Sequence, residues 1–165
     1  MIVLGVAPGL GELAYSVLAY HAGATQADPV DSDVLHAGRG PLPTSAFQVL
    51  RRTHVHHMIL GVVCERWTPA LVVLGPAVRP KEPPEHVDSV RQLIRIIAVS
   101  LSVPVVDLPD KDAMLSALGA EARSWRNHVA DGLRSPMGSQ DRRIVLATAT
   151  GIAGWRAFKG YPPAP

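Results

Sequence analysis

Apolar and β-branched residues at the start of the chain fall in short runs separated by turn residues. Ile2 to Val6 forms the first run, which is typical of a buried strand. Pro8-Gly9-Leu10-Gly11 predicts a turn, and alternating apolar residues from Leu13 to Tyr20 predict a second strand paired with the first. A polar loop over His21 to Ser32 and a weaker third strand over Asp33 to Ala37 follow. The opening of the chain therefore predicts three antiparallel strands.

The pattern then changes to a helical one. Ser45 is a suitable N-cap for a long helix that runs to about Trp67, where Thr68-Pro69 ends it. A continuous apolar run from Ala70 to Leu74 predicts a strand that is buried on both faces. The segment Gly75 to Pro84 contains four prolines and is predicted to be a loop. The apolar positions of the long helix are Phe47, Leu50, Val55, Met58, Ile59, Val62 and Val63.

The second half of the chain continues as alternating helix and strand. A helix is predicted from about Glu85 to Leu101 and a strand from Val103 to Leu108. Shorter helices are predicted over Asp110 to Leu118 and Glu121 to Leu133, and a final alanine-rich helix over Arg142 to Phe158. Three antiparallel strands followed by parallel crossovers predict an α/β fold: a mixed five-stranded sheet with helices on both faces.

Composition limits the class of protein without identifying it. With 165 residues, 47% hydrophobic and 18% charged, the chain can bury a core, and we expect one domain over residues 1–158 with a proline-rich tail over 159–165. The single cysteine, Cys64, excludes an intramolecular disulfide framework and is expected to be an inert buried thiol. No apolar stretch approaches the length of a signal peptide or membrane helix, so we expect a soluble cytoplasmic protein. A net charge of +2 permits nucleic-acid binding without requiring it.

The opening MIVLGVAPGLGELAYSVL resembles the first hairpin of RuvC-type Holliday junction resolvases. In that family the first strand typically ends in Gly-Ile-Asp-Pro-Gly, where this chain has Gly5-Val6-Ala7-Pro8-Gly9. The segment around Trp67-Thr68-Pro69, the strand ALVVL and the strand PVVDLP follow in the family's order. The resemblance covers about residues 1–157. It implies an RNase H-like fold and a bacterial homodimer that associates through the helix from Ser45 to Trp67.

The resemblance also implies where catalytic acids would stand. Family members carry an aspartate at the position of Ala7, a glutamate at Gly75 and two acids at the start of the last helix, which we place at Asp141 and Ile144. These carboxylates hold two divalent cations for phosphodiester cleavage. Alanine, glycine and isoleucine side chains have no oxygen ligand, so we expect no metal, no cofactor and no nuclease activity. Asp141 is expected to cap its helix.

Two other interpretations stay open at this point. Acids elsewhere in the chain, namely Glu12, Asp107 and Asp131, are alternatives for a relocated nuclease site. A scaffold or interaction protein that retains the fold without binding nucleic acid is the second alternative. Gly5, Gly9 and the neighbouring glycine at the hairpin tip also suggest a phosphate cradle, but the lysine and hydroxyl residue of a P-loop are missing.

The resemblance implies binding of branched or otherwise structured DNA or RNA. In the family, the loop after the fourth strand reaches into the junction; here that loop is Gly75 to Lys81, with Val78 as its apolar tip. The candidate phosphate contacts are the cations of this loop and of the two last helices. They are Arg79, Lys81, Arg123, Arg126, Arg142 and Arg143.

A histidine cluster lies within the long helix. His54 and His57 are neighbours on one helical face, a spacing that zinc tolerates, but no third ligand accompanies them. We therefore expect His54, His56 and His57 to face solvent or a partner. If the helix forms the dimer interface, these histidines would make the dimer sensitive to pH.

Overall fold

The computed structural model describes residues 1–22, 26–38, 40–41, 43–122, 125 and 141–160. Five strands in this part of the chain form one mixed sheet of order β3-β2-β1-β4-β5. They are β1 Ile2–Ala7, β2 Glu12–Ala19, β3 Asp28–His36, β4 Leu71–Leu74 and β5 Val105–Asp107. The pairs β1·β2 and β2·β3 are antiparallel, whereas β1·β4 and β4·β5 are parallel. The predicted sheet is confirmed.

The helices of the described residues are α1 Ala46–Trp67, α2 Pro84–Ser100, α3 Lys111–Leu118 and α4 Arg142–Lys159. Ser45 caps α1 as predicted, because its hydroxyl accepts a hydrogen bond from the Gln48 amide at 3.3 Å. A short 3₁₀ turn over Gly119–Glu121 follows α3. Most of the helix predicted over Glu121 to Leu133 lies outside the described residues. None of the helices described is both long enough and apolar enough to cross a bilayer.

The two faces of the sheet are covered by different helices. Val3 and Val73 face α3 and α4, whereas Leu4 and Val72 face α1 and α2. Since successive strand residues point to opposite faces, β1 and β4 must be apolar throughout, as their sequences are. The centre of the sheet is thereby buried on both sides.

A close approach of backbones fixes α4 on the sheet. A Cβ atom at Gly5, in the middle of β1, would lie only 2.2 Å from the Ala147 carbonyl oxygen of α4. Glycine therefore allows α4 to pack directly on β1. This contact brings the first turn of α4 towards the edge of the sheet where β1 ends.

The third strand differs from its prediction. It begins at Asp28, so the loop predicted to run to Ser32 was wrong, and the strand predicted over Asp33 to Ala37 was too short. The strand lies at the edge of the sheet and pairs with β2 through its backbone, which requires few apolar side chains. Pro29 is tolerated because an edge strand leaves one row of amides unpaired.

Only part of the apolar surface of α1 enters the core. Leu60, Val63 and Cys64 are buried against the sheet, and burial raises the pKa of the Cys64 thiol to about 11, as expected for an inert cysteine. Most of the other apolar positions remain exposed. These are Phe47 (74%), Leu50 (67%), Met58 (59%), Ile59 (38%) and Val62 (62%).

Candidate functional site

The positions that the resemblance singled out lie along the edge of the sheet that is formed by the carboxyl ends of β1 and β4. The parallel strands β1 and β4 end side by side, and the Gly75 amide donates to the Val6 carbonyl at 2.8 Å. Ala7 and Gly75 are therefore neighbours at this edge. Ala7 pairs with Ala14 across the two strands. Glu12 is the first residue of β2 and stands two positions before Ala14, so its side chain points to the same face of the sheet, which is the face covered by α4.

The space beside Gly75 is already filled. A Cβ atom built on Gly75 would lie 2.1 Å from Thr150 Oγ1 and 2.6 Å from Thr150 Cγ2. Thr150 is fully buried in α4, and its hydroxyl lies 3.5 Å from the Met114 sulfur. No side chain at Gly75 fits this packing, because overlap at these distances requires the backbone to move.

Asp141 forms the N-cap of α4, as predicted. Its Oδ1 accepts from the Arg143 amide at 2.9 Å and from Arg143 Nε at 3.0 Å, while its Oδ2 lies 2.6 Å from Arg143 Nη2. The side-chain hydrogen bonds from Arg143 hold the pKa of Asp141 below its usual range, against a smaller effect of burial. Asp141 therefore stays ionised and is engaged by an arginine of its own helix.

Glu12 connects three elements of the fold. Its Oε1 lies 2.9 Å from Arg79 Nη2 and 3.2 Å from Arg143 Nη1, and its Oε2 accepts from Arg79 Nε at 3.2 Å. His36 Nδ1 approaches the same carboxylate at 3.6 Å. Burial raises the pKa of Glu12, but the hydrogen bonds and charges of Arg79 and Arg143 outweigh it and hold this pKa below its usual range. Residues 12, 79, 141 and 143 form one chain of ion pairs, which we call the edge network.

The hairpin tip is held from the opposite face of the sheet. The Leu10 amide donates to Glu82 Oε1 at 2.6 Å, and the Leu10 carbonyl lies 3.0 Å from His56 Nε2. Both side chains are buried, and Glu82 Oε2 and His56 Nδ1 have no hydrogen-bond partner in the described part of the chain. The prediction that His56 faces solvent or a partner was wrong, because its imidazole binds the hairpin inside the fold.

Arg91, a buried arginine of α2, binds the neighbouring ends of β4 and β5. Arg91 Nη2 donates to the Gly75 carbonyl at 2.5 Å, and Arg91 Nη1 lies 2.5 Å from Asp107 Oδ1. Arg95 also pairs with Asp107. Asp107, one of the acids considered for a relocated site, is therefore engaged by two arginines at the end of β5.

The cations predicted to contact phosphate are placed differently from one another. Arg79, Lys81 and Arg142 are exposed, while Arg143 is partly buried within the edge network. The loop of Arg79 folds back on the hairpin, since the Val78 amide donates to the Pro8 carbonyl at 2.9 Å and Val78 packs on the core. Val78 is thus not an exposed loop tip, as the sequence suggested. Arg123, Arg126 and Asp131 lie outside the described residues.

Several site residues had no clear signal in the sequence. Glu82 and Leu10 are 72 positions apart, and nothing in a proline-rich loop indicates that its glutamate turns inward. Arg91 lies on the buried face of α2, four residues after Val87 and three before Ile94, and this spacing was a signal that the sequence reasoning did not use. Glu12 was recoverable in part, since its two-residue spacing from Ala14 places both on one face of β2.

Comparisons with known proteins agree with this architecture. No protein-family model and no curated protein sequence matches the chain. Among solved structures, RuvC of Thermus thermophilus is 18% identical with a TM-score of 0.74, covering 97% of this chain and 96% of that one. The same RuvC in complex with a Holliday junction substrate gives a TM-score of 0.71 at 18% identity, with 98% and 97% covered. The fowlpox virus Holliday junction resolvase gives 0.55 at 11% identity, with 96% and 99% covered.

The chain has the RuvC-like, RNase H-like fold. The edge described above carries the positions at which the resemblance placed catalytic acids, so its residues can be compared with what two divalent cations require. Magnesium needs oxygen ligands in near-octahedral geometry. The fully buried Ala7 side chain has no polar atom, Gly75 cannot accept a side chain, and the two nearby acids are bound by Arg143.

The residues of this RuvC-like edge do not fit a two-metal centre. In the described residues, no group of three or more His, Cys, Asp or Glu side chains is arranged to hold a metal ion. The guanidinium of Arg143 lies between Glu12 and Asp141 and supplies the positive charge that these carboxylates need. The ring centroids of His54 and His57 are 6.3 Å apart, and no third ligand joins them among the residues that the structure describes.

Proposed function

We propose that this protein is a RuvC-like pseudonuclease that binds branched or otherwise structured nucleic acid without cutting it. The observation that carries the loss of cleavage is the packing of Thr150 at Gly75, where the family's glutamate would stand. The contact of Thr150 with Gly75 supports this proposal, because a glutamate at position 75 would require the helix and the strand to move apart. This favours a role that does not require the metals.

Nucleic-acid binding rests on the fold and on the cations at its edge. A RuvC of this fold has been solved with a Holliday junction substrate, and so has the fowlpox virus resolvase. In this chain Lys81 and Arg142 are exposed, and Arg79 is exposed beside them. We propose these residues, with Arg143, Arg123 and Arg126, as the phosphate contacts. This proposal places the protein in the cytoplasm, where recombination and repair intermediates of bacteria occur.

We further propose that the active form is a homodimer built on α1. Phe47, Met58 and Val62 are exposed and lie on one side of the helix at 3.6 residues per turn, together with Leu50 and His54. This exposed stripe carries four apolar side chains beside the polar His54, and a second copy of the same helix would remove those apolar side chains from water.

One set of binding and cleavage assays tests the function. Holliday junction, duplex and single-stranded DNA are titrated with protein at 50 and 200 mM salt, and the junction is then incubated with Mg²⁺ or Mn²⁺. We expect a mobility shift of the junction that weakens steeply with salt, because phosphate contacts release counterions. We expect no cleavage product with either metal.

Two outcomes would overturn the proposal in different ways. Cleavage that disappears in the Asp141→Asn variant would show a working nuclease. The absence of any shift at micromolar protein, with each DNA and with a structured RNA, would instead favour a scaffold that no longer binds nucleic acid.

A further inference from the structure

Two of the proposed phosphate contacts bind the same internal carboxylate. Arg79 contacts both oxygens of Glu12, through Nη2 at 2.9 Å and Nε at 3.2 Å, and Arg143 Nη1 lies 3.2 Å from Oε1. The fork of a guanidinium matches two oxygens of a carboxylate or of a phosphate equally well. Glu12 therefore occupies the position in which a phosphate would receive the same hydrogen bonds.

The site is formed in advance around Glu12. Arg143 Nε and Nη2 are fixed by Asp141 at 3.0 and 2.6 Å, which leaves Nη1 directed at Glu12. The Arg79 side chain is 58% exposed and is thus accessible from solvent, whereas the Glu12 side chain is 15% exposed beneath it. Removal of the carboxylate would leave two oriented guanidinium groups facing one position.

We propose that Glu12 is an internal competitor for phosphate, and that a nucleic-acid phosphate binds between Arg79 and Arg143 by displacing it. The inference rests on the proposed function and adds its regulation. Because Arg143 already neutralises Asp141, the site requires no divalent cation to accept an anion. Phosphate binding at this site is therefore weaker than it would be without the Glu12 carboxylate, and it is insensitive to chelators of divalent metals.

The Glu12→Gln variant tests this directly. Glutamine keeps the shape of the side chain but loses the charge that competes with phosphate. We expect affinity for junction DNA to rise about tenfold at low salt, corresponding to one regained charge-assisted contact. The slope of log affinity against log salt should steepen by about 0.9, the value of one phosphate charge, because no displaced Glu12 carboxylate takes up a counterion in the variant. EDTA should leave both values unchanged.

A matched variant controls for the change in net charge. Glu121 also pairs with an arginine, Arg156, but at the opposite end of α4, roughly 20 Å from Arg143 along the helix axis. Glu121→Gln should therefore leave affinity and salt slope within twofold of wild type. An equal increase in both variants would attribute the effect to net charge and overturn the inference.

A second probe separates this inference from the proposed function. Inorganic pyrophosphate is titrated against wild type and Glu12→Gln while thermal unfolding is followed. Stabilisation confined to the variant, without binding of DNA or RNA, would support the anion site and overturn the nucleic-acid function. DNA binding by wild type that Glu12→Gln does not strengthen would retain the function and overturn the competitor.

If Glu12→Gln does not fold, the Glu12→Asp variant tests the same inference. The shorter side chain withdraws the carboxylate from Arg79 while retaining its charge, so a smaller increase in affinity is expected. If Glu12→Asp binds junction DNA no more tightly than wild type, the inference is wrong.

Discussion

Thr150 Oγ1 lies where the side chain of residue 75 would have to begin. The 2.1 Å between this oxygen and a Cβ atom on Gly75 is far below any van der Waals contact, and Thr150 is completely buried. The end of β4 and the middle of α4 are therefore packed for a residue without a side chain. The absence of an acid at position 75 is therefore a property of the core packing as well as a difference in sequence.

The Gly75→Ala variant should be less stable than wild type by about 1–3 kcal/mol, the usual cost of overpacking a core. Glu at this position should cost more and should not restore cleavage. In a Thr150→Ala background the loss of stability caused by Gly75→Ala should be smaller, although the Cβ atom of residue 150 would still lie 2.9 Å from the new Cβ. Urea unfolding of the four combinations measures this coupling.

Gly11→Ala is the matched control for a glycine at the same edge. Its new Cβ would meet nothing closer than Arg52 Nη1, at 3.8 Å. We expect its stability to stay within about 0.5 kcal/mol of wild type, or to rise slightly, because alanine restricts the unfolded chain. A Gly75→Ala variant as stable as Gly11→Ala would contradict the packing argument.

Removal of Arg143 should destabilise the edge network. In Arg143→Gln, two carboxylates lose a shared partner, and we expect a loss of about 1–2 kcal/mol at pH 7 after allowance for solvent screening. Arg142→Gln changes the exposed neighbour on the same helix turn and should cost less than about 0.5 kcal/mol. Equal losses in the two variants would show that the network contributes nothing specific.

The same network predicts a dependence on acidic pH. The folded-state pKa values of Glu12 and Asp141 are lowered, so their contribution to stability is present above their unfolded values of about 4. It is lost as pH falls through the folded values. Arg143→Gln should therefore approach wild-type stability as the pH is lowered from 5 to 3, and denaturant unfolding across that range measures the convergence.

His56 predicts a separate dependence near neutral pH. Burial lowers its pKa, against the hydrogen bond of the ring with the Leu10 carbonyl, and the nearby His36 lowers it further. The unfolded chain then binds a proton below about pH 6.5 that the folded chain does not, so stability falls as pH decreases through that value. Between pH 7.5 and 5.5 the loss from this residue should reach about 1 kcal/mol.

The His56→Gln variant should remove this part of the pH dependence, because an amide can still donate to Leu10 without titrating. His57→Gln changes an exposed residue next to it and should keep the wild-type profile. Stability measured at pH 5.5, 6.5 and 7.5 distinguishes the two. A His56→Gln profile parallel to wild type would show that this imidazole is not responsible.

The proposed dimer predicts an effect of charge on the exposed stripe of α1. Met58 lies in the middle of that stripe and is 59% exposed. Met58→Glu should raise the dimer dissociation constant by at least about tenfold, since it buries an unpaired charge. Sedimentation velocity between 1 and 100 μM measures the shift.

Phe158→Glu provides the comparison for an apolar residue elsewhere. Phe158 is 50% exposed near the end of α4, on the other side of the sheet. It should leave the dimer intact. A wild-type protein that stays monomeric at 100 μM would exclude the dimer at physiological concentrations.

Local pattern predicted much of the architecture. Neighbouring residues were enough to predict β1, β4 and the helix that Ser45 caps, because strand alternation and helix capping depend on short-range geometry. The edge strand was misjudged at Asp28 for the converse reason: it is held by backbone pairing with β2, which leaves little trace in side chains.

By itself the sequence determined the arrangement of strands and helices, and it showed that Ala7, Gly75 and Ile144 carry no oxygen ligand. Only the tertiary structure decided that Thr150 fills the space beside Gly75, and that Glu12 pairs with arginines 67 and 131 positions away. Contacts between residues so far apart arise when the sheet and helices pack, and packing follows from the shape of the whole core rather than from any local pattern.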